Sequence, residues 1–430
     1  MNVAVVGLWH LGTVTAACVA AARHDVIAFD DRADTVAEIE QGRLPVSEPG
    51  LRELMARARL DGRLRLSSSP ADLGGAEIVW IAYDTPVDEE GRGDVRSVMD
   101  SVAELFPHVR EQSLVLISSQ LPAGSTRKLE GIYRRARPGG TASFAYSPEN
   151  LRLGRAIEAF TQPARVVAGI REETDKDRIA RLFKPFTERI EWMSVESAEM
   201  TKHALNAFLA TSIAFANELG AVCERVGADA REVERGLKTD ARVGPRAYVR
   251  PGAAFAGGTL ARDVAFLAGI GLTEGIPTHL LSAVRESNEA HKQWPRRRLE
   301  EIIGDVRDRI IAILGLTYKP DTDTLRGSSA VETARWLVGR GASVTAYDPA
   351  VKALPAELRD FIELRGSAEE ALRGADAALV ATEWPQFTSI SADDVIRWMR
   401  HPLVLDVGRF LEARLGSHSR IRYVSVGRAA

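Results

Sequence analysis

Short, wholly apolar runs alternate with stretches of helical spacing along most of the chain. The first run, Asn2–Val6, stops at a turn, Gly7–Gly12; a helical stretch covers about Leu11–Ala22, and Val26–Phe29 follows, ending at Asp30. Runs of this length bounded by turn residues predict buried strands, and their alternation with helices predicts a parallel, doubly wound sheet. Ile78–Ala82, Leu114–Ser118 and Phe144–Tyr146 read as further strands, each ending before a polar or Pro-containing loop. In open α/β sheets, loops at the carboxyl ends of strands form the ligand crevice.

Between Ser194 and Glu224 the pattern changes. Met200, Leu205, Phe208, Leu209, Ile213, Leu219 and Val222 recur near helical spacing, which predicts one long amphipathic helix needing cover from the fold or from a second subunit. The strand pattern restarts with Ile310–Leu314, a loop over 315–324, a helix over about Ala330–Arg340 and a strand Ser343–Tyr347, with no repeat of the glycine fingerprint in sequence. The Pro/Arg-rich stretch Gln293–Arg298 predicts a linker or a helix cap. The expected fold is α/β: two doubly wound Rossmann-like domains joined by a long central helix, divided as 1–193, 194–298 and 299–430.

Composition narrows the function. A chain of 430 residues is too long for one ordinary core. With 56 Lys and Arg against 59 Asp and Glu, a net charge of −3 offers no global basic field for nucleic acid. The N-terminus enters an apolar strand without a basic leader or cleavage site, and no apolar run approaches ~18 residues, so a cytoplasmic protein without a membrane span is expected. Cys18 and Cys223 alone exclude a disulfide framework or a cysteine-rich metal site, and both are expected to be buried structural thiols.

A dinucleotide-binding turn needs glycines for a tight bend, for approach of backbone to pyrophosphate and for helix–strand packing, with an acidic residue about 20 positions on for the ribose. Gly7, Gly12 and Asp30 meet three of these demands, while Trp9 replaces the middle glycine and sets an indole where bare backbone usually meets the phosphates. Asp30 favours NAD over NADP, because a carboxylate accepts ribose hydroxyls and repels a 2′-phosphate; Arg32 nearby weakens that preference. His10 reads as a solvated loop histidine or a cofactor contact.

Over nearly its whole length the chain resembles the UDP-glucose/GDP-mannose dehydrogenase family. The likeness is carried in order by Gly7–Gly12, Glu48-Pro49-Gly50-Leu51, Thr85-Pro86, Leu121-Pro122-Ala123-Gly124, Ser147-Pro148-Glu149, Glu199–Phe208, Gly257–Asp263, Gly315–Arg326, Tyr347-Asp348-Pro349 and Ala381-Thr382-Glu383-Trp384. The resemblance implies an NAD-linked oxidation of a nucleotide sugar by a homodimer. It assigns Glu149 to acid/base work and Lys202 and Asn206, one helical turn apart, to oxyanion stabilisation, with Gln120, Thr259 and Asp263 also at catalytic positions. NAD is expected at Gly7, Trp9, His10, Leu11, Gly12, Asp30, Thr85 and Arg326. The nucleotide sugar is expected at Asn150, Leu151, Arg242, Arg246, Phe255, Gly257, Lys319 and Arg409, with Lys319 and Arg326 in a diphosphate-binding loop. No metal is implied.

Thr259 stands where the family carries its catalytic cysteine. Around it, Gln120 replaces a threonine, Asn150 an aromatic, and Tyr83-Asp84 a small pair. The family traps an aldehyde intermediate on a thiol before a second oxidation. A hydroxyl near pKa ~15.7 in place of a thiol near ~8.5 costs roughly 10 kcal/mol if it is to act as the anion. The expected reaction is therefore a two-electron oxidation of a sugar hydroxyl, ending in release or re-reduction of the product. The alternatives are full oxidation through a hydrated aldehyde and a catalytically silent nucleotide-sugar binder.

Overall fold

A computed structural model of the protein describes residues 1–86, 93–149, 151–256 and 259–429. The chain forms two compact units, Met1–Leu205 and Asn206–Ala430.

The first unit is built on β1 (Asn2–Val6), β2 (Asp25–Phe29), β3 (Leu64–Ser67), β4 (Ile78–Ile81), β5 (Leu114–Ile117), β6 (Ser143–Tyr146), β7 (Val166–Ile170) and β8 (Ile190–Ser194), in the order β3-β2-β1-β4-β5-β6-β7-β8. β1, β4 and β5 are apolar on both faces because helices cover both, which is why they read as unbroken apolar runs. One departure from the expected parallel sheet occurs at β7, which meets β6 antiparallel through Tyr146 and Gly169 and carries β8 with it. Strand order reverses between β1 and β4, so the loops after these two strands flank the crevice where such folds bind ligands.

The second unit holds an all-parallel sheet of β9 (Ile310–Leu314), β10 (Ser343–Tyr347), β11 (Glu363–Leu364), β12 (Ala377–Val380), β13 (Leu403–Asp406) and β14 (Arg422–Ser425), ordered β11-β10-β9-β12-β13-β14. Its first turn repeats that of the first unit although the sequence does not. Gly315 has φ +91°, and a Cβ there would stand 2.4 Å from Thr382. Asp348, just past β10, accepts the Leu316 N–H at 2.7 Å. The stretch Gln293–Arg298 is no linker: Pro295 sits in the first turn of the helix Trp294–Ile303, where its missing N–H costs nothing.

The long helix spans Val195–Val226. By length and composition it is apolar enough to cross a membrane, contrary to the expectation that no stretch approaches that, but a core helix passes the same test. Glu199, Lys202 and His203 are buried on it and bonded to protein groups.

Candidate active site

The nucleotide turn depends on two missing side chains. Gly7 has φ +89°, which glycine adopts without strain, and a Cβ there would stand 2.7 Å from Tyr83 Cδ1. A Cβ on Gly12 would fall 1.7 Å from the Gly7 carbonyl oxygen. Trp9 has ordinary extended backbone (φ −83°, ψ −153°), and its indole, 39% exposed, leans edge-on towards His10 with ring centres 6.5 Å apart. Trp9 supplies no side-chain cap to the helix His10–Ala21, which leaves that N-terminus without a cap from its own N-cap residue and suits a pyrophosphate. Asp30 is 1% exposed; its Oδ2 accepts the Leu8 N–H at 2.7 Å, and its Oδ1 accepts the Arg32 N–H at 3.1 Å and Nε at 3.2 Å. The carboxylate thus braces the turn. Thr85 Oγ1 donates to the Gln120 carbonyl at 2.7 Å, tying the loop after β4 to that after β5. The turn, its uncapped helix and the adjacent acid fit a dinucleotide.

His10 is not a solvated loop residue: it opens the helix, is 8% exposed, and meets Glu48 Oε2 at 3.0 Å. Glu48 also accepts the Gly154 N–H at 2.8 Å and the Ala156 N–H at 2.7 Å.

Glu149 follows β6 and lines a cleft of about 460 Å³ together with Leu11, Thr15, Trp80, Ser147 and Leu151. Its carboxylate accepts from Lys202 Nζ at 3.0 Å and from the Leu151 N–H at 2.8 Å; Lys202, 5% exposed, also donates to the Glu149 carbonyl. Burial works to raise the Glu149 pKa, but the Lys202 charge and hydrogen bond, the Leu151 N–H and the charge of His10 hold it below the usual carboxylate range. The helix presents Lys202 at a fixed height because Glu199, one turn earlier, accepts from Gly124 N at 2.6 Å, Thr126 N at 2.9 Å and Thr126 Oγ1 at 2.7 Å, and His203 meets the Leu121 carbonyl at 3.0 Å.

In the second unit, Asn206 Nδ2 donates to Asp263, whose carboxylate is wholly buried. Thr259 begins the helix Thr259–Thr273 and is exposed, one turn before Asp263. The backbone before it is clamped by amides. Asn217 receives the Gly252 N–H at 2.8 Å, and Asn288 bonds both the N–H (2.9 Å) and the carbonyl (3.0 Å) of Phe255. Phe255 is itself buried.

Three family profiles match in order: the NAD binding domain of the UDP-glucose/GDP-mannose dehydrogenase family over residues 1–187, its central domain over 196–290, and its UDP binding domain over 312–413. The chain belongs to that family. It is 32% identical over 437 residues to the UDP-glucose 6-dehydrogenase YwqF of Bacillus subtilis, covering 100% of this chain and 98% of that one. It is 33% identical over 429 residues to a Pseudomonas aeruginosa UDP-glucose 6-dehydrogenase, covering 96% and 94%. Among solved structures it is similar to a UDP-glucose dehydrogenase of Pyrobaculum islandicum, with TM-score 0.89, 30% identity and coverage of 99% and 97%. A second is the UDP-D-ManNAc dehydrogenase of Pyrococcus horikoshii, with TM-score 0.86, 25% identity and coverage of 100% and 99%.

This nucleotide-sugar dehydrogenase brings Glu149 and Leu151 to one cleft, with Lys202 bonded to Glu149 behind it, and joins Asn206 to Asp263 in the other unit. Leu11, within the turn, lines the Glu149 cleft. Lys319 sits beside the Tyr318 ring, 5.6 Å from Nζ to its centre, and Arg326 is exposed. Arg242 is paired with Asp240 at 2.8 Å, and Arg246 is exposed. Asn150 and Gly257 lie outside the described residues. The Arg409 side chain, 2% exposed, grips Asp229 through two bonds of 2.6 and 2.9 Å and Glu412 at 2.9 Å, so the guanidinium ties parts of the second unit together. Cys18 is buried, and burial, reinforced by Glu48, pushes its thiol up to about 12, so it supplies no nucleophile. Glu48, Glu199, His203, Asn217 and Asn288 were given no role from sequence; the first three stand inside or at the ends of the matched segments.

Proposed function

We propose that this dehydrogenase oxidises C6 of a UDP-hexose with NAD and stops after two electrons. NAD supplies the acceptor for the hydride leaving carbon. The chain's part is to take the proton: Glu149, kept ionised by Lys202, accepts it from the sugar hydroxyl while the Lys202 ammonium stabilises the negative oxygen as the C=O bond forms. The products balance as aldehyde, NADH and a protonated carboxyl. What supports this reading is Glu149 lining the cleft in an ion pair with Lys202, in a chain that by its family resemblance carries Thr259 at the position of the thiol. The hydroxyl's deficit of roughly 10 kcal/mol leaves covalent capture of the aldehyde without a nucleophile.

A second reading, full oxidation to the uronate through a hydrated aldehyde, is favoured by the names of the relatives and needs only water and a base such as Glu149. Counting NADH formed per UDP-glucose consumed separates them. One equivalent with a hydrazine-trappable aldehyde is expected; two equivalents with a uronate establish the second reading. A homodimer is supported by the Val195–Val226 helix, which exposes Phe208, Phe215 and Val222 at seven-residue spacing, 68%, 51% and 56% accessible.

A further inference from the structure

We propose that Tyr83 is a specificity-determining residue of the cofactor site, its hydroxyl bonding the unphosphorylated ribose diol of the adenosine half beside Asp30. The inference rests on NAD occupying the Gly7–Gly12 turn.

Tyr83 follows β4, directly across the strand-order reversal from Gly7. Its backbone and ring lie so close to Gly7 that a Cβ there would be 2.8 Å from Tyr83 Cα and 2.7 Å from Cδ1. Beyond the ring, the hydroxyl is buried and has no hydrogen-bond partner among the described residues. The charges that act on it come from Asp31 and Asp30 after β2, from Glu104 on the helix Val95–Leu105, and from Arg32. The ring packs against the apolar core with Val95 and Met99. A phenylalanine would pack in the same way without leaving a buried hydroxyl unmet, which is a standing cost to the free protein. The hydroxyl therefore serves something that arrives. The two aspartates make the place hostile to a 2′-phosphate, while a phenol donor beside a carboxylate acceptor matches a ribose diol.

The test is Tyr83→Phe, read by calorimetric titration with NADH, NADPH and UDP-glucose, and by the thermal midpoint of the ligand-free protein. Expected are an NADH Kd raised about tenfold, a smaller change for NADPH, unchanged UDP-glucose affinity, and a midpoint equal to or above the wild type's. An unchanged NADH Kd overturns the proposal, as does equal weakening of NADH and NADPH. A lowered midpoint also overturns it, since the hydroxyl would then have an internal partner. Wild-type protein that fails to bind NADH would instead strike the cofactor reading beneath it.

Discussion

His10 and Glu48 join two loops through one carboxylate: Glu48 Oε2 lies 3.0 Å from His10 Nε2 and accepts the Gly154 N–H, while Oε1 takes the Ala156 N–H. The start of the nucleotide-turn helix is thereby fixed to the segment beside the Glu149 cleft. Glu48→Ala leaves two backbone donors and an imidazole without their acceptor, and about 3–5 kcal/mol of stability should be lost. Urea unfolding measures it; a loss below about 1 kcal/mol would mean that water replaces the carboxylate.

Lys202→Met should remove the charge that helps keep Glu149 ionised. With the ammonium gone, burial dominates and the carboxyl pKa rises, so the acid limb of kcat/KM moves to higher pH and kcat falls. The sign for stability is the same. A carboxyl held below its ordinary value near 4.5 adds stability above that pH and loses it as pH falls through the folded value. The variant lacks this contribution. A pH–rate profile with an unmoved acid limb would disprove the coupling.

Arg409→Met should weaken the fold more than it weakens substrate binding. Asp229, lowered to about 2 chiefly by its hydrogen bonds from Arg409, contributes stability above about pH 3.8 that is lost as pH falls towards 2. Because Asp229 is 35% exposed, the expected loss is about 2 kcal/mol and no more. An unaltered unfolding midpoint with a raised KM for UDP-glucose would return Arg409 to the diphosphate.

Acid should destabilise the protein below neutrality through two histidines. His24 and His291 are both held below the ordinary value of 6.5, in each case chiefly by burial. As pH drops through about 6.5 the unfolded chain takes up protons that the folded chain refuses, so stability falls by up to about 1.4 kcal/mol per pH unit for each group. Unfolding free energies at pH 7.5 and 5.5 show the slope, and His24→Leu should flatten it; an identical slope in the variant would clear His24.

Much of this architecture is written in local patterns. β1, β9 and β10 fall where apolar runs place them, and the long helix extends only two residues beyond Glu224. Gly7, Gly12 and Asp30 are legible because their demands are steric and local. The reversal at β7 is not, since a buried apolar strand reads alike in either direction. Nor is the commitment of Arg409, whose partner Asp229 lies 180 positions away. His10 misleads for the same reason, since its solvation is decided by Glu48, 38 residues on. Periodicity reports which face is covered, and only the folded chain reports which charge meets which.

Asp348 carries the duplicated turn to a different end. Its Oδ2 receives Leu316 N, Thr317 N, Thr317 Oγ1 and Trp384 Nε1, and its Oδ1 receives Ala350 N, so protein donors crowd Oδ2 from within. Asp30 is less crowded, with one donor on Oδ2 and two, both from Arg32, on Oδ1. An oxygen so crowded has little left for a visiting diol, so the second turn is a poorer berth for the redox coenzyme than the first, and the two units of one chain need not compete for the same guest.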